Sequence, residues 1–364
     1  MVLENVKYHE DVIEAEYSTE GYSVINYQKS YTLTRALING KWRVYNGDKL
    51  ESTQKIKEFE ICESSSHESV KTWVDKGQYV GILNKILIDQ TDQLKLISKK
   101  ISKTISIYDA KECHEEKVVN YVKYNDLSFS YTGDPKDIPS IVEYLKTSEM
   151  KLPASRQMLT ESGRLTFILD SEIVATIFHY ILINFLNGNI PKLKLNEKVF
   201  GEITVYDNPL NKFSSTFSAF DDEGVKTKRK EIIGDGIVVN YLGTLTTKYG
   251  EPGNARGVLP KPDYFSIEVK NGDWTLNELI EESKGAYIAI GVKKSEMIQN
   301  SIRITPRSVI KIGQGSVFFR EIAIPIQELL TIDAVTKENR GVFIDEDHGG
   351  VTPYIRMKVR AILY

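Results

Sequence analysis

From residue 198 to its end the chain is a succession of strand-length segments. They read KVFGEITVYD, KRKEIIGDGIVVNYL, YFSIEVKNGD, GAYIAIGV, SIRITPRSVIKIG, SVFFREIAI and PYIRMKVRAIL, with one amphipathic helix, TLNELIEES, between them. Residues of this kind bounded by Gly, Asn and Asp turns favour pleated, half-buried sheets. One strong helix precedes the run, DSEIVATIFHYILINFLNG. Ile173, Val174, Ile177, Phe178, Ile181, Leu182, Phe185 and Leu186 make its apolar stripe. Ser171 is placed to cap its start, and Gly188 to end it in a left-handed turn.

The first part of the chain is mixed. VIEAEY and YSVINYQ read as strands, and YTLTRALINGKWRVYNG as a hairpin turning at Asn39-Gly40. Ile82, Ile86, Leu87, Leu94, Ile97, Ile101 and Ile105 recur at helical spacing and predict more than one helix. VVNYVKYNDLSFSYTG returns to strand, DIPSIVEYLKTSEM is a short helix, and KLPASRQ reads as a crossing between halves. The fold class is α+β: a mixed α/β domain over 1–150, then a strand-rich domain over 151–364 with a large mixed or antiparallel sheet.

Composition narrows the function. With 364 residues, 41% hydrophobic and 27% charged, the chain can build sizeable cores. A net charge of −3 opposes direct nucleic-acid binding, which needs surplus Lys and Arg to replace counterions. No run of 18 uncharged apolar residues predicts a membrane span, and the N-terminus does not read as a signal peptide. Two cysteines, Cys62 and Cys113, are a poor disulfide framework and suit a reducing cytoplasm.

FDDEGVKTKRKEII, residues 220–233, is the most polar stretch. Asp221, Asp222 and Glu223 could hold a hard cation, but the alternating acids of a calcium loop are absent. Turn chemistry is the stronger reading, with Gly224 taking the positive φ of a tight hairpin. Lys226, Lys228, Arg229 and Lys230 then read as a solvated strand face. The five histidines form no HExxH, and Cys113-His114-Glu115-Glu116 has no second cluster to complete a zinc site. His179 reads as a packed histidine. Gly313-Gln314-Gly315 and Gly234-Asp235-Gly236 each precede a strand and read as turns, since a dinucleotide site needs a helix there. Chemistry alone shows no self-sufficient catalytic constellation.

Several stretches resemble the TldD/PmbA family, also described as modulators of DNA gyrase, in which PmbA is also called TldE. They are VYDNPL, FDDEGVKTKRKEIIGDGIVVNYL, PGNAR with Asn254 and Arg256, VKNGDWTLNELIEESKGAYI and VTPYIRMKVRAIL, covering roughly residues 155–364. The resemblance implies a relative of two-subunit zinc peptidases. TldD-type chains of that family carry a helical HExxxH, and TldE-type chains lack it. The matching helix here reads HYILIN: His179 stays, Tyr180 replaces the base Glu, and Asn184 replaces the second His. The late cysteine of TldD-type chains is also missing, although His348 lies in that region and offers a metal rescue with His179.

The resemblance therefore implies a TldE/PmbA-like, non-catalytic subunit of a cytoplasmic assembly, with no catalytic residue, cofactor or metal of its own. Zinc is expected in a TldD-like partner, and the substrate would be an unfolded peptide added to an exposed strand edge. Asp221, Asp222, Glu223, Gly224, Arg229, Asn254 and Arg256 are the candidates for lining a cleft or meeting the partner. The alternative is a stand-alone protein-binding regulator of the gyrase-modulator kind.

Overall fold

The computed structural model describes residues 3–45, 57–89, 92–107, 111–148, 157–158, 162–212, 214–318 and 320–362. The chain divides into two compact units. The first takes residues 1–150 together with 209–228 and 243–265; the second takes 151–208, 229–242 and 266–364. The predicted crossing KLPASRQ lies almost wholly outside the described residues.

The first unit is built on one seven-stranded sheet. β1 (Leu3–Ser18) and β2 (Gly21–Ile38) pair antiparallel without interruption from Leu3↔Ala36 to Ser18↔Gly21. β3 (Lys41–Val44) follows the Asn39-Gly40 turn, where both residues have positive φ, 49° and 74°, as the predicted hairpin requires. Then come β4 (Ser65–Ser66), α1 (Lys76–Leu83), β5 (Leu94–Ile107), β6 (Glu112–Tyr124), β7 (Leu127–Thr132) and α2 (Ile138–Ser148). The sheet order is β3-β2-β1-β5-β6-β4, with β7 on β6. α1 and α2 cover one face through Tyr79, Ile82, Leu83, Ile138, Val142 and Leu145, packed with Leu94, Leu96 and Val122.

Two expectations fail in this unit. The helical spacing through Ile97, Ile101 and Ile105 belongs to strand β5. A step of four residues is also a multiple of the strand period, so those isoleucines share one face of a strand as well as one stripe of a helix. The run ISKKISKTISI is rich in β-branched residues, and that preference wins. Cys62 and Cys113 are joined by a disulfide, with both side chains fully buried.

The second unit opens with β8 (Gln157–Met158), β9 (Gly163–Leu169), α3 (Ser171–Phe185), β10 (Val205–Asp207), β11 (Lys230–Gly234) and β12 (Ile237–Val238). The chain then re-enters the first unit for the short pair β13 (Ala255–Arg256) and β14 (Lys261–Pro262). It returns with β15 (Ile267–Val269), α4 (Leu276–Glu282), β16 (Tyr287–Ile298), β17 (Ser301–Lys311), β18 (Gly315–Phe318), β19 (Glu321–Pro325), β20 (Ala334–Asp345) and β21 (His348–Ile362). These strands form a twelve-stranded mixed sheet. β21, β9, β16, β17 and β19 pair in a ring, since β19 bonds both β17 and β21.

α3 is held in this unit with nearly every side chain from Ser171 to Phe178 buried, so it is more enclosed than a single stripe implies. Its cap is Asp170, one residue before the expected Ser171, whose carboxylate accepts from Ile173 N at 3.0 Å. The helix ends at Leu186. Gly188 instead donates its N–H to Leu242 O, and its φ is not positive. The predicted turns at Asp235-Gly236 and around Gly313 and Gly315 are present. No helix among the described residues is long and apolar enough to cross a membrane.

Candidate functional site

The sequence pointed to two places, one in each unit. On the exit half of α3, His179 and Tyr180 are half-buried and follow the enclosed run Ile173–Phe178. The β20–β21 hairpin brings His348 against His179, with ring centroids 4.8 Å apart and planes at 77°. His348 Nδ1 donates to both carboxylate oxygens of Asp345, at 2.9 and 3.0 Å. Burial alone would raise the Asp345 carboxyl; the His348 hydrogen bond and charge, the Asp347 N–H and His179 hold it below the usual range. The Tyr180 hydroxyl lies 3.2 Å from Ser295 Oγ on β16. The Asn184 amide donates to Tyr180 O within the helix, at 3.0 Å.

A zinc ion needs three or four nitrogen, sulfur or oxygen ligands converging on one point. Two imidazoles meet here. The carboxylate beside them is hydrogen-bonded to one of the rings, and the amide at the second helical position is turned back on the backbone. Among the described residues, no group of three or more His, Cys, Asp or Glu side chains is placed to hold a metal ion. These residues do not fit a catalytic zinc.

The acid-glycine turn lies in the first unit, not in the strand-rich second one as the resemblance implied. Gly224 has φ 71°, the left-handed value expected of it. The turn is not a solvated tip, however. Asp221, Glu223 and Gly224 are buried. Asp221 accepts three backbone N–H bonds, from Glu223, Val225 and Ala255, at 2.8–3.0 Å. Glu223 accepts from Trp42 Nε1 at 2.6 Å and from Leu245 N at 2.7 Å. Asp222 takes Lys103 Nζ at 3.1 Å and Gly257 N at 2.7 Å, and its carbonyl accepts from Arg35.

Arg35, almost wholly buried, gives two further bonds to Glu4 Oε2, at 2.9 and 2.7 Å, and one to Val258 O at 2.7 Å. Burial drives the Glu4 carboxyl up to about 7 in spite of Arg35. Burial and the neighbouring Asp221 charge push Glu223 up as well. The arrangement is a packed ionic network, with each acid held by named donors. It has the character of a keystone for the unit rather than of a metal cage.

The other candidates fall elsewhere. Asn254 is buried, and its side-chain oxygen accepts from Gly243 N at 3.3 Å. Arg256 donates to Tyr264 O at 2.8 Å and lies over Phe265. Arg229 belongs to the second unit, where it is exposed, pairs with Glu268 at 2.7 Å and covers Tyr206. Of the predicted solvated basic face, Lys228 and Arg229 are exposed but Lys230 is buried.

A family model described as the PmbA/TldA metallopeptidase C-terminal domain matches residues 162–361, which include α3, His179 and His348. This chain belongs to the PmbA/TldD family. A metalloprotease of Archaeoglobus fulgidus is 29% identical over 150 residues, covering 37% of this chain and 35% of that protein. A zinc metalloprotease TldD homolog of Saccharolobus solfataricus is 25% identical over 254 residues, covering 64% and 55%. The chain thus spans between about a third and about half the length of the curated relatives it matches. TldE from Thermococcus kodakarensis shares the fold over 100% of this chain and 97% of that one, with a TM-score of 0.76 at 18% identity. A Thermotoga maritima protein described as a modulator of a DNA gyrase gives 0.70 at 14% identity, over 99% and 96%.

Within this PmbA/TldD chain, the sequence named His179, Tyr180, Asn184 and His348 but missed Asp345, Ser295 and the partners of the acid turn. The spacing DEDH in a tight hairpin was a signal for Asp345, since residues three apart across such a turn face each other. Arg35 stood inside the hairpin TRALINGKW, where a charge among inward-facing apolar residues calls for a buried partner.

Proposed function

We propose that this chain is the non-catalytic, TldE-like subunit of a cytoplasmic two-component zinc metallopeptidase that degrades or processes unfolded peptides. A TldD-like partner would supply HExxxH, the zinc and the general base. The observation that carries the reading is the state of α3: the Asn184 amide bonds back to the carbonyl of Tyr180, the Tyr180 hydroxyl meets a serine, and His179 packs against a histidine already engaged with Asp345. A zinc-bound water needs three or more converging ligands and a free carboxylate to take its proton; here two imidazoles meet, and the one carboxylate beside them is already bonded to a ring. The TM-score of 0.76 to a TldE chain agrees with this at the level of fold.

Substrate holding is assigned to backbone pairing. Among the described residues, residues 21–33 of β2 have β1 on one side, while β3 reaches only Arg35–Ile38 on the other. That stretch contains no Pro and one charged side chain, Lys29, and it leaves Ile25 52% and Tyr31 39% exposed. An edge so little protected suits addition of an extended segment, with choice resting on lack of structure more than on side chains. The alternative, a stand-alone protein-binding regulator, draws on the fold shared with a protein described as a modulator of a DNA gyrase.

Co-expression with a TldD-like chain from the same source separates the two. A stable heteromer by size, cleaving an unstructured peptide that this chain alone leaves intact, is the expected result. Separate elution, with this chain monomeric or self-paired, would favour the regulator.

A further inference from the structure

Residues 57–66 form a strap across the acid-glycine turn of the first unit. Glu60 O accepts from Lys226 N at 2.9 Å, Ile61 bridges Val225, and Cys62 N donates to Gly224 O at 3.0 Å. Lys57 Nζ reaches Thr247 Oγ1 at 3.0 Å and Gly250 O at 2.8 Å. Up to β4 at Ser65–Ser66 the strap has no regular strand or helix of its own. Cys62 is the one buried residue in 57–66; every other residue there is half-buried or exposed. Its sulfur, bonded to Cys113 on β6, lies among Val6, Ile105 and Phe220. Directly over it sits Gly224, where an added Cβ would come within 3.7 Å of Cys62 Sγ and 2.8 Å of Ile107 Cδ1.

A segment with so little buried surface is drawn from the least stable parts of a fold. A single covalent link that closes a long loop then sets how much of the time it stays down. We infer that the Cys62–Cys113 bond is a redox clasp: oxidised, it holds the strap over the turn that carries Asp221 and Glu223, and its reduction releases the strap and admits water to that turn. The reductant is a dithiol. Its thiolate attacks one protein sulfur to give a mixed disulfide, and its second thiol displaces that sulfur. Two electrons and two protons pass to Cys62 and Cys113, and the reductant leaves as a disulfide. Both protein sulfurs are buried, so exchange waits on local opening of the strap. This inference is independent of the proposed function.

The test is hydrogen exchange of the full chain, read peptide by peptide, before and after dithiothreitol, with thiols counted in each state. Expected are no reactive thiols in the oxidised chain denatured without reductant, and two after reduction. Exchange across residues 57–66 and 221–226 should accelerate at least about tenfold on reduction, while β1, β2 and α3 keep their protection. Cys113→Ala should show the reduced pattern in the absence of any reductant. Two free thiols in the chain as isolated under oxidising conditions would overturn the inference. So would unchanged exchange at the strap, or loss of protection throughout the first unit, which would make the bond a general staple.

Discussion

Replacing Arg35 with methionine is expected to remove about 3–5 kcal/mol from the stability of the first unit at neutral pH. Arg35 is 1% exposed and its guanidinium bonds Glu4 twice, Val258 O and the carbonyl of Asp222, while its Cζ lies 5.0 Å from the centroid of the Trp42 ring. Methionine fills most of the volume but takes away the counter-charge and both donors of buried Glu4, which must then take up a proton or stay charged and unpaired. It also leaves the carbonyls of Val258 and Asp222 without this donor. Removing one partner of a buried pair costs far more than removing both. The double variant Glu4→Gln, Arg35→Met should therefore recover part of the loss. Denaturant unfolding of the wild type, R35M and the double variant measures this; a loss below about 1 kcal/mol for R35M would show that the network does not hold the unit together.

The same network makes stability fall as pH rises from about 5 to about 8. In the unfolded chain Glu4 titrates at 4.5, whereas burial lifts it to about 7 in the fold. Burial, reinforced by Asp221, lifts Glu223 as well. Asp221 is raised by burial too, against the three N–H groups it accepts, and carries the charge that keeps Glu223 protonated. Between the unfolded and folded values the native state binds more protons than the unfolded chain. The stabilisation is thus complete below the unfolded value and lost as pH climbs through the folded one.

For Glu4 alone the span from 4.5 to about 7 corresponds to about 3 kcal/mol. Lys117 acts in the opposite sense. Burial, with Lys103 and Arg256 adding to it against the pull of Glu115, lowers it to about 8, so its contribution rises with pH from there to 10.5. The expected curve has a minimum near pH 8. Glu223→Gln should flatten the descending limb and raise stability at pH 8. A flat profile for the wild type between pH 5 and 8, or a Gln variant that keeps the full slope, would contradict the assignment.

Local chemistry in this chain was legible, and partnership across it was not. Asn39-Gly40, Asp235-Gly236 and Gly224 announce their turns because each needs a backbone conformation that few residues adopt. The strand-rich second half shows in its β-branched segments. Strand β5 is ambiguous in sequence because four-residue spacing satisfies both periods, and only the pairing of Ile97 with Tyr121 and Glu14 settles which one applies.

The acid turn is legible as a turn, but its burial is not. Its donors Trp42, Lys103, Leu245 and Ala255 come from four separate stretches, and nothing near residue 221 announces them. The same holds for Cys62 and Cys113, whose Cα atoms lie 6.0 Å apart where the strap leading into β4 comes alongside β6. At the α3 position the sequence HYILIN has no HExxxH, which is legible without a structure. The contact of His179 with His348 required the hairpin fold, and Asp345 came with it.

We propose that this chain does not grip a catalytic zinc and that hydrolysis belongs to a companion. Zinc content and peptide turnover of the isolated chain, refolded or purified with zinc in excess, test it most directly. The account predicts zinc far below one ion per chain, unchanged by His179→Ala, and no cleavage of an unstructured peptide. One tightly held zinc per chain that is lost in His179→Ala, together with turnover by the chain alone, would contradict it.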